Sequence, residues 1–133
     1  MSSTKGKFGT AINCMDGRVQ LPVINWMKTN LGLDYIDVIT EPGPDRILAD
    51  CTAEQLMSIK SRALISSQAH GSDIIVVAAH HDCAGNPASR EEHCSQLSRA
   101  VRVIRSWSLP VSQVIAVWVN DSWKIEVIDT SGI

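Results

Sequence analysis

The sequence predicts an α/β protein in which helices cover both faces of a central, mostly parallel sheet. Segments typical of strands alternate with segments typical of helices over most of the chain, as expected for right-handed β-α-β units. The run "IIVVAA" at 74–79 is apolar throughout, as expected for a parallel strand buried on both faces. We therefore predict a three-layer α/β/α fold with a strand order of about 2-1-3-4 and an antiparallel C-terminal edge strand.

The N-terminal part of the chain contains the first strand and the first helix. The strand is predicted at 7–13, and the helix follows at 21–32. Pro22 suits the first turn of a helix, and Gly32 suits the left-handed residue that often ends one. The segment formed by residues 1–6 is short and polar, and we interpret it as a flexible tail.

A second strand, a loop and a second long helix come next. The strand is predicted at 34–40, and the two prolines of "EPGPDR" at 41–46 predict a turn-rich loop. Thr52 and Gln55 have the spacing of a capping box, so we expect a helix from there to about residue 69. Four apolar residues of this segment lie on one face: Leu56, Ile59, Ala63 and Leu64.

The C-terminal half contains two further parallel strands, a helix and the edge strand. We predict strands at 73–80 and 112–119, with a helix at 89–107 that begins in the capping box "SREE". The apolar residues expected to face inward from this helix are Leu97, Ala100, Val101 and Ile104. After a tight turn, the segment 123–129 alternates in polarity, which suits an antiparallel edge strand.

Length and composition restrict the functional class. A chain of 133 residues is long enough for one domain, which we expect to span residues 1–133. The net charge of −2 and the lack of a basic patch argue against nucleic-acid binding. No apolar run is long enough to span a bilayer, so we expect a cytoplasmic protein. In that compartment its four cysteines indicate free thiols, metal ligands or catalysis rather than disulfides.

Cysteine and histidine residues follow two strands that should be neighbours. Cys14 follows the first strand, and His80 and Cys83 follow the third. Ligands of open parallel sheets bind beyond the carboxyl ends of the strands, where the strand order reverses. Two thiolates and an imidazole are good zinc ligands, and three protein ligands leave a fourth position open, as in catalytic zinc sites.

These residue types also allow simpler interpretations. Cys14 can be a small buried hydrophobic residue, and His80 can be satisfied by a backbone carbonyl. Cys14 and Cys83 can also form a redox disulfide. The sequence pattern by itself leaves these alternatives open.

Two short motifs carry a resemblance to a known family. "CMDGR" at 14–18 resembles the C-x-D-x-R motif of the β-class carbonic anhydrases, and "HHDC" at 80–83 resembles their H-x-x-C motif. The order of the motifs and their positions after strands also fit, and the similarity covers about residues 8–129. The resemblance implies a zinc lyase that hydrates carbon dioxide reversibly to bicarbonate by means of zinc-bound hydroxide.

The resemblance also implies roles for individual residues. It makes Cys14, His80 and Cys83 the ligands of one Zn²⁺ per chain, and Asp16 and Arg18 the catalytic pair. Asp16 would accept a hydrogen bond from zinc-bound water or act as a fourth ligand, while Arg18 holds Asp16 away from the metal. The simpler interpretation of this pair is a surface ion pair. The family further implies a homodimer or a larger homo-oligomer.

Some segments depart from the family pattern. The family commonly has an Arg-Asn-Ala-Gly-Asn-like segment after the second strand, where this chain has "TEPGPDR". After Cys83 the usual Gly-Ala is replaced by "AGN". Alternative functions are therefore hydrolysis of a related small molecule, such as carbonyl sulfide or carbon disulfide, and a non-catalytic or regulatory zinc-binding role.

A few further residues are weaker candidates. His81 can be a proton shuttle, a partner of a metal ligand or an exposed side chain. His93 and Cys94 lie on the last long helix, where we expect one to be packed and the other solvated, although either can approach the site. Cys51 is interpreted as structural. The 41–46 loop can cover the metal or act as a rigid connector, and we favour the connector.

Overall fold

The computed structural model describes residues 6–132, so the predicted tail lies outside the described residues except for Gly6. The described chain contains five strands and four helices. The strands are β1 (Phe8–Cys14), β2 (Tyr35–Glu41), β3 (Ile74–His80), β4 (Gln113–Val119) and β5 (Ile125–Gly132). The helices are α1 (Gln20–Leu31), α2 (Pro44–Asp50), α3 (Ala53–Ala69) and α4 (Arg90–Ser106).

The strands form one mixed sheet in the order β2-β1-β3-β4-β5. The first four strands in this order are parallel, and β5 runs antiparallel to β4. This confirms the predicted fold class, including the central position of the first and third strands and the antiparallel C-terminal edge.

Helices pack on both faces of the sheet, because successive strand residues point to opposite sides. On one face, Ala11 and Val76 pack with Val23 and Met27 of α1. On the other face, Ile12 and neighbouring strand residues pack with the three remaining helices. The helix residues buried on that face are Leu48, Ile59, Ala63, Leu97, Ala100, Val101 and Ile104. The inward face predicted for α4 is therefore confirmed.

The predicted helix ends are also present. Gly32 follows α1 with φ 64°, a left-handed conformation that glycine adopts without steric penalty. Thr52 and Gln55 form the capping box at the start of α3. Ser89 caps α4 by accepting a hydrogen bond from the Glu92 N–H at 3.1 Å.

The prediction of a loop at 41–46 was wrong in part, because Pro44 begins α2. Pro44 is compatible with the first turn of a helix, since a proline there leaves no helical hydrogen bond unmade. Asp45 adds a negative charge in the same turn, which favours a helix start. Leu48, one turn later, is 1% exposed and anchors the short helix to the core.

A gap opens between β1 and β3 at their carboxyl ends. The β1–β3 ladder ends at the pair Ile12–Val77, whereas the β1–β2 ladder continues as far as Cys14–Glu41. The last residues of β1 and β3 therefore have no backbone partner between them, which leaves space for side chains. None of the helices described within residues 6–132 has both the length and the apolar character needed to cross a membrane.

Candidate metal centre

Cys14, His80 and Cys83 meet in the gap between β1 and β3. Cys14 is the last residue of β1, and His80 is the last residue of β3. Cys83 lies three residues after His80, in the loop that follows β3. Their ligand atoms all lie within 4.8 Å of one another, and all three side chains are buried. The two sulfur atoms are 3.8 Å apart. The topology thus brings together residues that are distant in sequence.

The imidazole of His80 is oriented toward this group. Its Nδ1 donates a hydrogen bond to the backbone oxygen of His81 at 2.7 Å, which leaves the lone pair of Nε2 free. In the described part of the chain, His80 Nε2 is the buried side-chain nitrogen or oxygen that lacks a hydrogen-bond partner. Buried polar atoms are rarely left unpaired, so this one requires an explanation. A hydrogen bond from Nδ1 to a carbonyl is also the usual arrangement behind a metal-ligating histidine.

The two thiols have opposite pKa shifts. The pKa of Cys14 is lowered chiefly because the Cys83 thiol donates to it, with smaller contributions from His80 and the backbone N–H groups of Gly43 and Asp16, while burial opposes the shift. The pKa of Cys83 is raised because it is the donor to Cys14 and because it is buried. The two cysteines therefore share one proton, with Cys14 as the thiolate and Cys83 as the thiol. Binding of a metal ion by both sulfurs would release that proton.

Asp16 and Arg18 form a bidentate pair at the edge of the same group. Arg18 Nη2 donates to Asp16 Oδ2 at 2.7 Å, and Arg18 Nε donates to Asp16 Oδ1 at 3.0 Å. The Arg18 backbone N–H also donates to Asp16 Oδ1, at 2.8 Å. These contacts with Arg18 lower the pKa of Asp16 to about 2. The carboxylate is therefore ionised at every pH at which the protein would function.

Asp16 lies beside the Cys-His-Cys group rather than within it. Its Oδ2 is 3.9 Å from His80 Nε2, and both of its oxygens accept hydrogen bonds from Arg18. Of the predicted site residues, the structure thus brings three potential ligands into one cluster and places the Asp–Arg pair next to it. Both oxygens of Asp16 are thus held by Arg18.

The donor set fits zinc. Two thiolates and one imidazole are preferred Zn²⁺ ligands, and three protein ligands leave room for a fourth. The free Nε2 of His80 supplies the nitrogen, and the close approach of Cys14 and Cys83 supplies the sulfurs. The buried Cys-His-Cys group is therefore typical of a zinc site.

Gln20 contributes to the site but was missed by the sequence analysis. Its Nε2 donates to the backbone oxygens of Cys14 and Asp16, at 2.7 and 2.9 Å. It thus ties the first turn of α1 to the loop that carries the motif. The sequence contains no signal for this role, because a glutamine at a helix start is usually solvated.

The weaker candidate residues lie outside the Cys-His-Cys group. His81 is exposed, and Cys94 is partly buried on α4. His93 is 1% exposed and its Nδ1 lies 2.5 Å from Asp45 Oδ2, so it is packed, as we expected of one of the two α4 residues. In the 41–46 segment, the backbone N–H of Gly43 contributes to the lowered pKa of Cys14.

A cavity of about 460 Å³ lies at the end of the sheet opposite the Cys-His-Cys group. It is lined by residues at the amino ends of strands, including Phe8, Ile74 and Gln113. Among the described residues, those that line it include no member of the Cys-His-Cys group and form no comparable set of metal-ligating side chains. The potential metal ligands therefore lie at the carboxyl ends of the strands, where open α/β sheets bind their ligands.

Solved structures share this fold at low sequence identity. A β-carbonic anhydrase isoform I from Trichomonas vaginalis is 17% identical with a TM-score of 0.61, covering 90% of this chain and 81% of its own. The apo form of a carbon disulfide hydrolase is 13% identical with a TM-score of 0.58, covering 91% and 78%. A tetrameric β-carbonic anhydrase from Sordaria macrospora is 13% identical with a TM-score of 0.52, covering 97% and 85%.

Similarity at the sequence level is found with a family model. No curated protein matches the sequence. The model described as "Putative carbonic anhydrase" matches residues 4–129, which include both motifs and all three potential metal ligands. With the fold and the Cys-His-Cys group on which the resemblance rested, this match shows that the chain belongs to that carbonic anhydrase family.

Proposed function

We propose that the protein is a zinc-dependent lyase that hydrates carbon dioxide reversibly to bicarbonate. The observation that carries the proposal is the buried cluster of Cys14, His80 and Cys83, with the unpaired His80 Nε2 facing it and the Asp16 carboxylate 3.9 Å from that atom. A zinc ion held by these three side chains would supply a Lewis acid, and the fixed, ionised carboxylate beside them supplies a hydrogen-bond acceptor.

Cys14, His80 and Cys83 would hold one zinc ion per chain. When bound, zinc would supply a nucleophile near neutral pH by acidifying water. The protein contributes a prepared set of ligands: His80 is fixed by the carbonyl oxygen of His81, and the sulfur of Cys14 lies against that of Cys83. Little rearrangement of these side chains is needed for them to act together.

Asp16 would orient the attacking water by accepting a hydrogen bond from it. Since Arg18 holds the pKa of Asp16 at about 2, the carboxylate remains an acceptor and does not become a donor. Arg18 occupies the same carboxylate with two of its nitrogens, which fixes the direction of the acceptor oxygens. Arg18 thereby also keeps Asp16 from taking a position among the metal ligands.

A second candidate function is hydrolysis of carbon disulfide or carbonyl sulfide. The fold of this chain is similar to that of a carbon disulfide hydrolase as well as to those of carbonic anhydrases. These substrates are linear like carbon dioxide and undergo attack at the same central carbon. The same ligands and the same Asp–Arg pair would serve either reaction.

We further propose that the protein acts as a homodimer or larger homo-oligomer on its small-molecule substrate. One of the structurally similar carbonic anhydrases is tetrameric. The two outermost strands of the described sheet, β2 and β5, each have one side without a strand partner. Natural proteins commonly cover such edges, and association of subunits is one way to do so.

The test is stopped-flow hydration of carbon dioxide by the zinc-loaded protein across pH, with parallel assays of carbon disulfide and carbonyl sulfide. We expect Asp16→Asn to retain zinc and to lower turnover by about 10²–10⁴, the usual effect of losing a positioned acid–base or orienting group. Arg18→Ala should also retain zinc and lose turnover, because Asp16 is then free to reach the metal.

The matched control is Asp50→Asn, which removes one charge of an exposed ion pair with Arg99, neither residue being part of the Cys-His-Cys group or the Asp16–Arg18 pair. It should leave turnover within a factor of about two, since exposed pairs contribute little. If the parent is active and Asp16→Asn behaves like this control, Asp16–Arg18 is only a surface ion pair. If the zinc-loaded parent acts on none of the three substrates, the site is a metal-binding module without this activity.

A further inference from the structure

Arg18 also contacts Asp82, in addition to Asp16. Its Nη1 donates to Asp82 Oδ2 at 3.3 Å, and its Nη2 donates to the backbone oxygen of Asp82 at 3.1 Å. Asp82 lies between His80 and Cys83 in the H-x-x-C motif, so this contact joins the two motifs. The guanidinium therefore bridges the loop that follows β1 and the loop that follows β3.

The Arg18 guanidinium also lies over an aromatic ring. The Arg18 Cζ lies 4.7 Å from the centroid of the Trp123 ring, which is within the range of a cation–π contact. Trp123 comes from the turn between β4 and β5. Arg18 is thus fixed from three directions, by the Asp16 carboxylate, the Asp82 loop and the Trp123 ring.

The backbones of both supporting residues are strained. Within residues 6–132, three non-glycine residues have positive φ, and two of these contact Arg18: Asp82 at 59° and Trp123 at 60°. The third is Ser108, at 55°. This conformation is tolerated by aspartate but is a true outlier for a bulky aromatic residue. Strained residues of this kind cluster at functional sites, and the strain points to a role that offsets its cost.

The turn enforces the strained conformation of Trp123. The Trp123 N–H donates to the backbone oxygen of Asn120 at 2.9 Å, and the Lys124 N–H donates to Asn120 Oδ1 at 3.1 Å. These hydrogen bonds flank Trp123 on both sides. The hydrogen bonds of the turn therefore fix the Trp123 backbone from which the ring reaches Arg18.

An exposed ion pair does not by itself explain this arrangement. The Asp82 side chain is 72% exposed, so its charge alone would contribute little to stability. The backbone oxygen of Asp82 and the Trp123 ring do not depend on that charge, and each limits a different movement of the guanidinium. Together they remove the freedom that a single Asp–Arg pair would leave to a long side chain.

We propose that Asp82 and Trp123 are positioning residues that hold the Arg18 guanidinium, and through it the Asp16 carboxylate, beside the Cys-His-Cys group. The inference rests on the proposed function, because the placement of Asp16 matters for turnover only if Asp16 orients the attacking water. It assigns part of the site to the β4–β5 turn, which carries none of the motif residues. Neither residue needs to touch substrate.

The test measures Arg18 directly in the metal-free protein. Nuclear magnetic resonance of the ¹⁵N-labelled chain gives the solvent-exchange rate of the Arg18 Nε–H, which is bonded to Asp16 in the parent. Trp123→Gly removes the ring and relieves the strain of the turn, because glycine accepts positive φ. We expect exchange to accelerate about two- to fivefold, the range of a cation–π contact at a partly exposed site.

Two variants separate positioning from general packing. Trp26→Ala removes another half-buried tryptophan of the same apolar cluster, at a position with no contact to Arg18, and should leave the exchange rate unchanged. Trp123→Phe keeps an aromatic face and should restore part of the slow exchange. If Trp123→Gly leaves the rate unchanged, or if Trp26→Ala accelerates it equally, the proposal is overturned.

Asp82 is tested with Asp82→Asn and Asp82→Gly. Both variants keep the backbone oxygen, but only Asp82→Asn keeps a side-chain acceptor for Arg18 Nη1. Exchange should therefore rise above the parent rate in Asp82→Gly and rise less in Asp82→Asn. An unchanged rate in Asp82→Gly would overturn the role of Asp82. In the zinc-loaded protein, turnover should fall in the same order with zinc content unchanged. If the parent has no activity while the exchange rates follow the expected order, the proposed function fails and the placement of Arg18 by these residues stands.

Discussion

Cys83 and Cys51 differ in burial and surroundings, and they provide a direct test of the metal ligands. Cys83 is buried 3.8 Å from Cys14, whereas Cys51 is partly buried at the end of α2. Cys83→Ser should lower zinc affinity by more than roughly 100-fold, beyond the 10–100-fold effect of losing an outer partner of a ligand. Zinc content after dialysis, measured by atomic absorption, reports the loss.

Cys51→Ser is the matched control and should retain one zinc ion per chain. Retention of stoichiometric zinc by Cys83→Ser would refute the ligand assignment. Loss of zinc from both variants would show instead that the fold tolerates neither substitution, and circular dichroism of the metal-free variants distinguishes this case.

The pKa of Asp16 is a second property of a single residue. Contacts with Arg18 lower that pKa from 3.8 to about 2. A depressed pKa contributes stability above the ordinary value, and this contribution is lost as pH falls through the folded-state value. In Arg18→Ala the Asp16 midpoint should therefore rise toward 3.8. Carboxyl ¹³C resonances of the metal-free protein, followed as pH is lowered, measure this midpoint. A midpoint that does not change in the variant would contradict the bidentate pair.

At the scale of elements, α2 and α4 are joined by a buried polar network. Asp45 of α2 is 0% exposed and accepts hydrogen bonds from His93 and from Asn86. Asn86 also donates to Gln96 Oε1 at 2.7 Å. Asn86 lies on the loop that follows Cys83, so the network fixes that loop against both helices.

Removing one member of this network should destabilise the fold. His93→Leu leaves the Asp45 carboxylate buried without its closest partner, which we expect to lower the free energy of unfolding by about 3–5 kcal/mol. The double variant Asp45→Leu/His93→Leu removes both polar groups and should recover most of the loss. Urea unfolding at pH 7 measures both. Equal destabilisation by the two variants would show that the loss is one of packing alone.

The elements were largely predictable because their signals are local. Hydrophobic periodicity placed α3, α4 and the strands, and Gly32, Thr52 and Ser89 marked helix ends through backbone groups that must find partners. The helix α2 was missed because two prolines in a short segment usually indicate a turn. It is held by the burial of Leu48 and by the hydrogen bonds that Asp45 makes with His93 and Asn86, which no local pattern records.

The candidate site was predictable where the strand order or a family motif pointed to it. The strand order follows from β-α-β alternation, and that order alone brought Cys14 to His80 and Cys83. His93 was one of two α4 residues left unassigned, because its burial depends on Asp45 of another helix. The support of Arg18 by Trp123 had no sequence signal, because it depends on the geometry of a turn in a distant part of the chain.

At the scale of the whole molecule, the exposed sheet edges predict self-association. We expect light scattering at micromolar concentration to give a mass that is a multiple of 14.5 kDa. Val127 of β5 is 49% exposed on the edge strand, and Val127→Lys should shift the mass toward the monomer, because lysine on an edge strand opposes strand pairing. Ile65→Lys, on the exposed face of α3, is the matched control. A parent that remains a monomer of 14.5 kDa would contradict the prediction.

The turn between β4 and β5 has a consequence for how the site is assembled during synthesis. The ribosome releases the chain from its N-terminus, so Arg18 emerges first, the loop with Cys83 follows, and Trp123 emerges last of the three. The metal ligands can therefore gather in a nascent chain that still lacks the ring beneath Arg18. If the proposed function holds, a chain of this kind would bind metal before it turned over substrate, and activity would then report that translation and folding had reached the last strand.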